Sequence, residues 1–134
     1  MTLYVDTSAL LKRYVEEPES ARCERALLAD PVWVTARITF VETRRNLARL
    51  LSGAALERAR AAFERDFARM HVVELDETTC RLAAGIAESL GVRSLDALHL
   101  GAASRLGPAD VVLLTFDRHL ARAARELGFS VRGV

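Results

Sequence analysis

Val111-Val112-Leu113-Leu114-Thr115 is a β-branched and apolar run, with Gly107-Pro108 before it and Asp117 two residues beyond it. A run of this kind, without polar alternation, reads as a strand buried on both faces. Such strands belong to parallel sheets with helices on either side. Residues 117–127 continue as a helix stopped by Gly128, and residues 129–134 form a last strand. Upstream, helices are expected over 77–90, closed by Gly91, and over 95–106, closed by Gly107-Pro108. Near the start, Leu3-Tyr4-Val5 is a second short apolar strand, followed by the turn and cap cluster Asp6-Thr7-Ser8 and a helix over 9–15. Pro18 limits that helix. A helix over 19–29, a strand over 32–35 and a helix over 38–51 follow, with Gly53 just past the last. Residues 54–70 are the clearest amphipathic stretch, with Leu56, Ala59, Phe63, Phe67 and Met70 on one stripe. A weakly alternating strand over 71–75 completes the set. Strands alternating with helices imply an α/β chain with a mainly parallel sheet of about five strands, covered on both faces.

The 134 residues fit one domain, spanning 1–134, with one core. Hydrophobic residues at 51% and charged residues at 28% exclude a disordered chain. No apolar run reaches the length of a membrane helix, and the first residues lack the pattern of a signal peptide, so a cytoplasmic protein without a membrane partner is expected. Cys23 and Cys80 have no close Cys or His neighbours and read as buried thiols, which excludes a zinc module or a disulfide framework. Of the 19 basic residues, all but Lys12 are Arg. Arg suits phosphate contacts, but abundant Ala and Leu and the absence of Gln point to base composition. A net charge of +1 names no partner, so any phosphate-binding surface must be local. Gly85 and Gly101 fall inside expected helices, where they weaken the helix or mark close packing against the sheet.

In open parallel sheets, ligands bind beyond the carboxyl ends of the strands, where the winding direction reverses. Asp6 and Asp117 stand at two such ends and face one crevice if their strands are neighbours. Several tenants of this architecture are missing their motifs: there is no Gly-x-Gly-x-x-Gly, no glycine-flanked Lys of a phosphate loop and no Gly-x-Ser-x-Gly elbow. Metal-bound carboxylates are the chemistry left best supported. Each acid also has a structural explanation. Asp6 and Asp117 suit helix N-caps, and Asp96 suits the first turn of a helix capped by Ser94. Glu42, at the start of an otherwise apolar helix, suits an exposed position or a contact with Arg45 or Asn46 one turn on. His99 shares a helix face with Asp96 but reads as a packing residue, and His71 and His119 read as surface residues.

Taken together, Asp6-Thr7-Ser8-Ala9-Leu10-Leu11-Lys12-Arg13-Tyr14, Glu42, Leu95-Asp96-Ala97-Leu98-His99-Leu100 and Leu114-Thr115-Phe116-Asp117 resemble PIN-domain ribonucleases, above all the VapC-type toxins of toxin–antitoxin pairs. The resemblance runs from Leu3 to Gly128, and the stretch around Asp96 is its most specific part. It departs only in Thr35-Ala36, where the family often has Ser. The resemblance implies a PIN-like three-layer sandwich. It also implies that Asp6, Glu42, Asp96 and Asp117 bind Mg²⁺ or Mn²⁺ for phosphodiester hydrolysis. Carboxylates converging in one crevice repel unless a cation neutralises them, and hard oxygen ligands suit these ions. Ser8 and Thr115 are expected to orient carboxylates or to serve as local turn caps. Arg13, Arg44, Arg45 and Arg118 either grip RNA phosphates or form a solvated face. By the same resemblance the chain is an endoribonuclease toxin, held inactive by a small antitoxin, and a homodimer whose interface uses the apolar stripes of residues 38–70. The alternatives are a PIN nuclease of RNA processing and a catalytically silent binding module.

Overall fold

The computed structural model describes residues 2–134. Its elements are β1 (Thr2–Val5), α1 (Thr7–Tyr14), α2 (Ser20–Leu28), β2 (Trp33–Ala36), α3 (Ile38–Leu50), α4 (Gly53–Phe67), β3 (His71–Val73), α5 (Glu77–Leu90), α6 (Ser94–Ser104), β4 (Val111–Thr115), α7 (Arg118–Glu126) and β5 (Ser130–Gly133). The strands form one sheet in the order β3-β2-β1-β4-β5, and every pairing is parallel. From β1 the chain winds outward to β2 and β3, then crosses back to β4 and β5. The winding therefore reverses between β1 and β4, whose residues Val5 and Leu114 lie side by side. The two strands that carry acids at their carboxyl ends are neighbours.

Alternation along the strands divides the core. Leu3 and Val5 of β1 and Val112 and Leu114 of β4 pack with Leu10, Leu27, Leu47 and Phe63 on one face. Tyr4, Val34, Val111 and Leu113 pack with Leu100, Leu120 and Ala124 on the other. Helices α1 to α4 cover the first face and α5 to α7 the second, giving the three layers. All of β4 is buried, as its unbroken apolar run requires. Among the described residues, no helix is long and apolar enough to cross a membrane.

The amphipathic stripe of α4 turns inward. Ala59, Phe63, Phe67 and Met70 are buried, and the Phe63 ring stands 5.5–5.8 Å from those of Phe67, Phe40 and Tyr14. That stripe is consumed within the chain and offers nothing to a second copy. Of the residues 38–70, the large apolar side chains left exposed are Val41 and Leu50 on α3.

Four local expectations need correction. Gly53, with φ +57°, opens α4 instead of closing α3, which ends at an extended Leu51. Gly101 marks close packing between helices, not against the sheet: a Cβ there would lie 3.0 Å from Ala83 and from the Thr79 carbonyl oxygen of α5, whereas Gly85 faces open space. Cys80 is exposed; only Cys23 is a buried thiol. Ser94 begins α6 but does not cap it, because the cap position falls to Arg93 without a side-chain bond.

Phe63 is fully buried at the centre of the aromatic cluster. Phe63→Ala should lower unfolding free energy by about 3–5 kcal/mol, read from a urea titration. A loss below about 1 kcal/mol would show that this layer does not carry the fold.

Candidate active site

The crevice beyond β1 and β4 is built around Asp6, which is 3% exposed. Its Oδ1 accepts the Ala9 N–H at 3.0 Å, so it caps α1. Thr115, the last residue of β4, donates its hydroxyl to Oδ2 at 2.7 Å, and Ser8 donates to the carboxylate at 2.8–2.9 Å. The Ser8 hydroxyl in turn accepts the Phe116 N–H, and Thr115 Oγ1 accepts the Asp117 N–H. Each hydroxyl has a single proton, and both are directed at Asp6. Burial raises the Asp6 carboxyl above its ordinary value, and the charge of His99 and these hydrogen bonds only partly oppose that.

Glu42, in the second turn of α3, is tied to two other elements. Its Oε1 accepts from Thr7 Oγ1 on α1 at 2.9 Å and from His99 Nε2 on α6 at 2.7 Å. Burial pushes this carboxyl up, but the bond and charge of His99, with Thr7, bring it below the usual range. The contacts foreseen with Arg45 or the Asn46 side chain are replaced: Asn46 donates to the Glu42 backbone carbonyl. His99 is itself 3% exposed, with Nδ1 2.8 Å from the hydroxyl of the fully buried Tyr4. Burial lowers the basicity of His99; the Glu42 bond and the charges of Asp6, Glu42 and Asp96 raise it further than that. Tyr4 is pushed far up by burial and by the charges of Asp6 and Glu42.

Asp96 lies in the first turn of α6, half-buried. Desolvation, then the charges of Asp117 and Glu42, raise its carboxyl. Asp117 caps α7, with Oδ1 accepting the N–H groups of His119 and Leu120 at 2.8 and 3.2 Å. Glu42, Asp96 and Asp117 line one cavity of ≈ 590 Å³, with Arg93, His119 and Arg122 at its walls. Asp6 is outside that lining, so the four acids proposed from sequence divide into three that face the cavity and one bonded inside the protein. Among the described residues, no three Asp, Glu, His or Cys side chains lie close enough to ligate one ion as they stand. The donor set nevertheless suits a hard divalent cation. All the lining acids are carboxylates, and burial together with repulsion from Asp117 and Glu42 already holds Asp96 up.

The basic residues separate. Arg13 bonds Asp66 at 2.8 Å, pairs with Glu24 and stacks 5.2 Å from Trp33, bordering a different cavity, so its guanidinium is committed away from the crevice. Arg44 is half engaged, with Glu64 at 3.5 Å and the Phe40 ring beneath it. Arg45 and Arg118 are exposed. Residues that sequence reasoning left aside, Tyr4, Thr7 and His99, prove to be the supports of Glu42. The available signals were the i, i+3 spacing of His99 from Asp96 and the shared strand face of Tyr4 and Asp6.

Comparison with known proteins identifies the family and the fold. The family model of the PIN domain matches residues 3–126. Ribonuclease VapC46 of Mycobacterium tuberculosis is 36% identical over 129 residues, covering 96% of this chain and 95% of the relative. Ribonuclease VapC47 of the same species is 33% identical over 134 residues, covering 95% and 93%. Among solved structures, DNA-bound VapBC from Salmonella typhimurium superposes with a TM-score of 0.72 at 22% identity, covering 98% and 97% of the two chains. The Mycobacterium tuberculosis VapC20, a toxin that cleaves the sarcin–ricin loop, superposes with a TM-score of 0.70 at 20% identity, covering 90% and 94%.

The raised Asp96 carboxyl has a defined sign. Its charge costs stability at neutral pH, and the cost shrinks as pH falls from the raised folded-state value towards the ordinary value of the unfolded chain. In chelator, Asp96→Asn should therefore melt at or above the wild type at neutral pH, despite forfeiting a helix-dipole contribution of about 0.3–1 kcal/mol. The advantage should shrink on acidification. A variant melting lower than the wild type at every pH would place Asp96 outside the acidic cluster.

Proposed function

The chain belongs to the PIN domain family, and from that premise we propose that it is the ribonuclease toxin of a toxin–antitoxin pair, cutting RNA by hydrolysis in the acidic crevice. The observation that carries this reading is the convergence of Glu42, Asp96 and Asp117 on one cavity, with Asp6 buried at the end of β1 where the sheet reverses. The support from relatives is the 36% identity to a VapC ribonuclease over nearly the whole length of both chains. Residues 1–134 act as one catalytic unit.

Asp6, Glu42, Asp96 and Asp117 would hold the ion, Mg²⁺ or Mn²⁺. Such an ion polarises a phosphate and makes water a better nucleophile near neutral pH. The protein's own part is to keep the carboxylates charged and aimed. His99 and Thr7 hold Glu42 ionised, and Ser8 and Thr115 hold Asp6 in place. Arg45 and Arg118, exposed beside the acids in sequence, grip the RNA backbone, with Arg44 as an auxiliary. A small antitoxin inhibits by setting a basic side chain among the acids, a contact that charge complementarity favours. Solved VapBC complexes superpose on this chain. A second copy of the chain packs along α3, where Val41 and Leu50 are exposed.

Purified protein incubated with transfer and ribosomal RNAs should cut in Mg²⁺ or Mn²⁺ and stop in chelator. Asp6→Asn and Asp96→Asn should stay folded and lose more activity than the roughly 10–100-fold typical of an outer-sphere partner. Undiminished cleavage by either folded variant would remove that residue from the site.

Replacing Arg45 and Arg118 together by Ala should weaken RNA binding and reduce the salt slope of log K by about 1.4, the value for two phosphates on a single strand. An unchanged slope would make the two arginines a solvated face.

A further inference from the structure

Glu42 is bonded at one oxygen only. Thr7 and His99 both donate to Oε1, from α1 and α6 respectively, and Oε2 takes no part in either bond. A carboxylate only accepts, so Nε2 of His99 must carry the proton it shares with Glu42. That holds for the neutral and the charged ring alike. In the neutral ring Tyr4 donates its hydroxyl to Nδ1; in the charged ring it accepts from Nδ1. In either state the Tyr4 hydroxyl, fully buried on the face of the sheet that α6 covers, fixes which edge of the imidazole faces Glu42. Tyr4 meets the ring edge-on at 82°, which restricts the imidazole further. Tyr4 is 95 residues from His99, and His99 is 57 from Glu42, so the contacts join β1, α6 and α3.

We propose that His99, oriented by Tyr4, is a positioning residue that turns Oε1 of Glu42 to the protein and presents Oε2 to the cavity. Neither His99 nor Tyr4 belongs to the cavity lining, so both act through Glu42. The inference rests on the ribonuclease reading above, in which Glu42 is a ligand. It adds that affinity for the ion depends on a buried tyrosine outside the site.

Side-chain geometry supplies the test. The amide nitrogen of Gln lies as many bonds from Cβ as Nε2 of His, and that of Asn as many as Nδ1. His99→Gln can therefore keep the donor to Glu42, while His99→Asn keeps only the side that faces Tyr4. Mn²⁺ affinity, measured by calorimetry without RNA, should stay within about threefold of wild type in His99→Gln and fall by about 10–100-fold in His99→Asn. Tyr4→Phe should weaken Mn²⁺ binding in the same direction, and the double variant Tyr4→Phe/His99→Asn should be no worse than His99→Asn alone. Cleavage assays should show the loss in kcat with KM for RNA little changed. Melting in chelator checks that each variant is folded. Should His99→Asn fail to fold, Tyr4→Phe decides, since it removes one oxygen atom and leaves His99 in place. Wild-type Mn²⁺ affinity in folded His99→Asn or in Tyr4→Phe would overturn the inference, as would a His99→Gln as weak as His99→Asn. A wild type that cleaves RNA without binding Mn²⁺ would instead overturn the metal reading, and the inference with it.

Discussion

The hydroxyl of Thr115 on the carboxylate of Asp6 is the contact around which this molecule is arranged. It joins the ends of β1 and β4, the two strands between which the chain reverses direction. Asp6 starts α1, and Thr115 accepts the N–H of Asp117, which starts α7. Two helices on opposite faces of the sheet therefore begin within one hydrogen-bonded cluster. The cost is a buried anion. Four donor contacts from Ser8, Ala9 and Thr115 meet it, yet burial still outweighs them. A fold governed by stability alone would place an Asn or Ser at such a cap. On the proposed reading the full negative charge is kept there to meet a cation.

The remaining acids show how one crevice gives similar groups different character. Glu42 is drawn down by a histidine it touches, while Asp96 is held up first by burial and then by the charges of Asp117 and Glu42. Burial pushes both upward, and the difference comes from the His99 bond that Glu42 has and Asp96 lacks. Asp117, like Asp6, has its Oδ1 committed to backbone N–H groups, so it is rigid before any ligand arrives. Glu42 and the two capping aspartates are thus preset, and Asp96 is the acid most exposed to repulsion from its neighbours.

Much of this was legible along the chain because it is written in local patterns. The all-apolar β4, the α4 stripe and the glycine closing α5 depend on neighbours within a few residues, and each lies where its pattern indicates. The adjacency of β1 and β4 stayed a condition at the level of sequence, because strand order is a tertiary fact; their parallel pairing meets it. His99 was not legible, because a histidine in an apolar helix has the same appearance whether it packs or bonds. Its partners Tyr4 and Glu42 come from distant β1 and α3. Arg13 misled for the same reason: nothing near it announces that Asp66 and Glu24 neutralise it. The burial of Asp6 is likewise tertiary, since Thr115, which bonds its carboxylate, comes from β4.

The double duty of Asp6 and Asp117 has an evolutionary corollary. Asn ranks with Asp as a helix cap, and a single base change converts one codon to the other. On the proposed reading, loss of the charge would disarm the protein while leaving its helices started and its surface intact. A lineage carrying this scaffold can shed its chemistry in one step and keep a well-folded decoy. Such a decoy would still soak up whatever inhibitor recognises the outer surface, and so shift the balance between an active copy and its inhibitor without cutting a single strand.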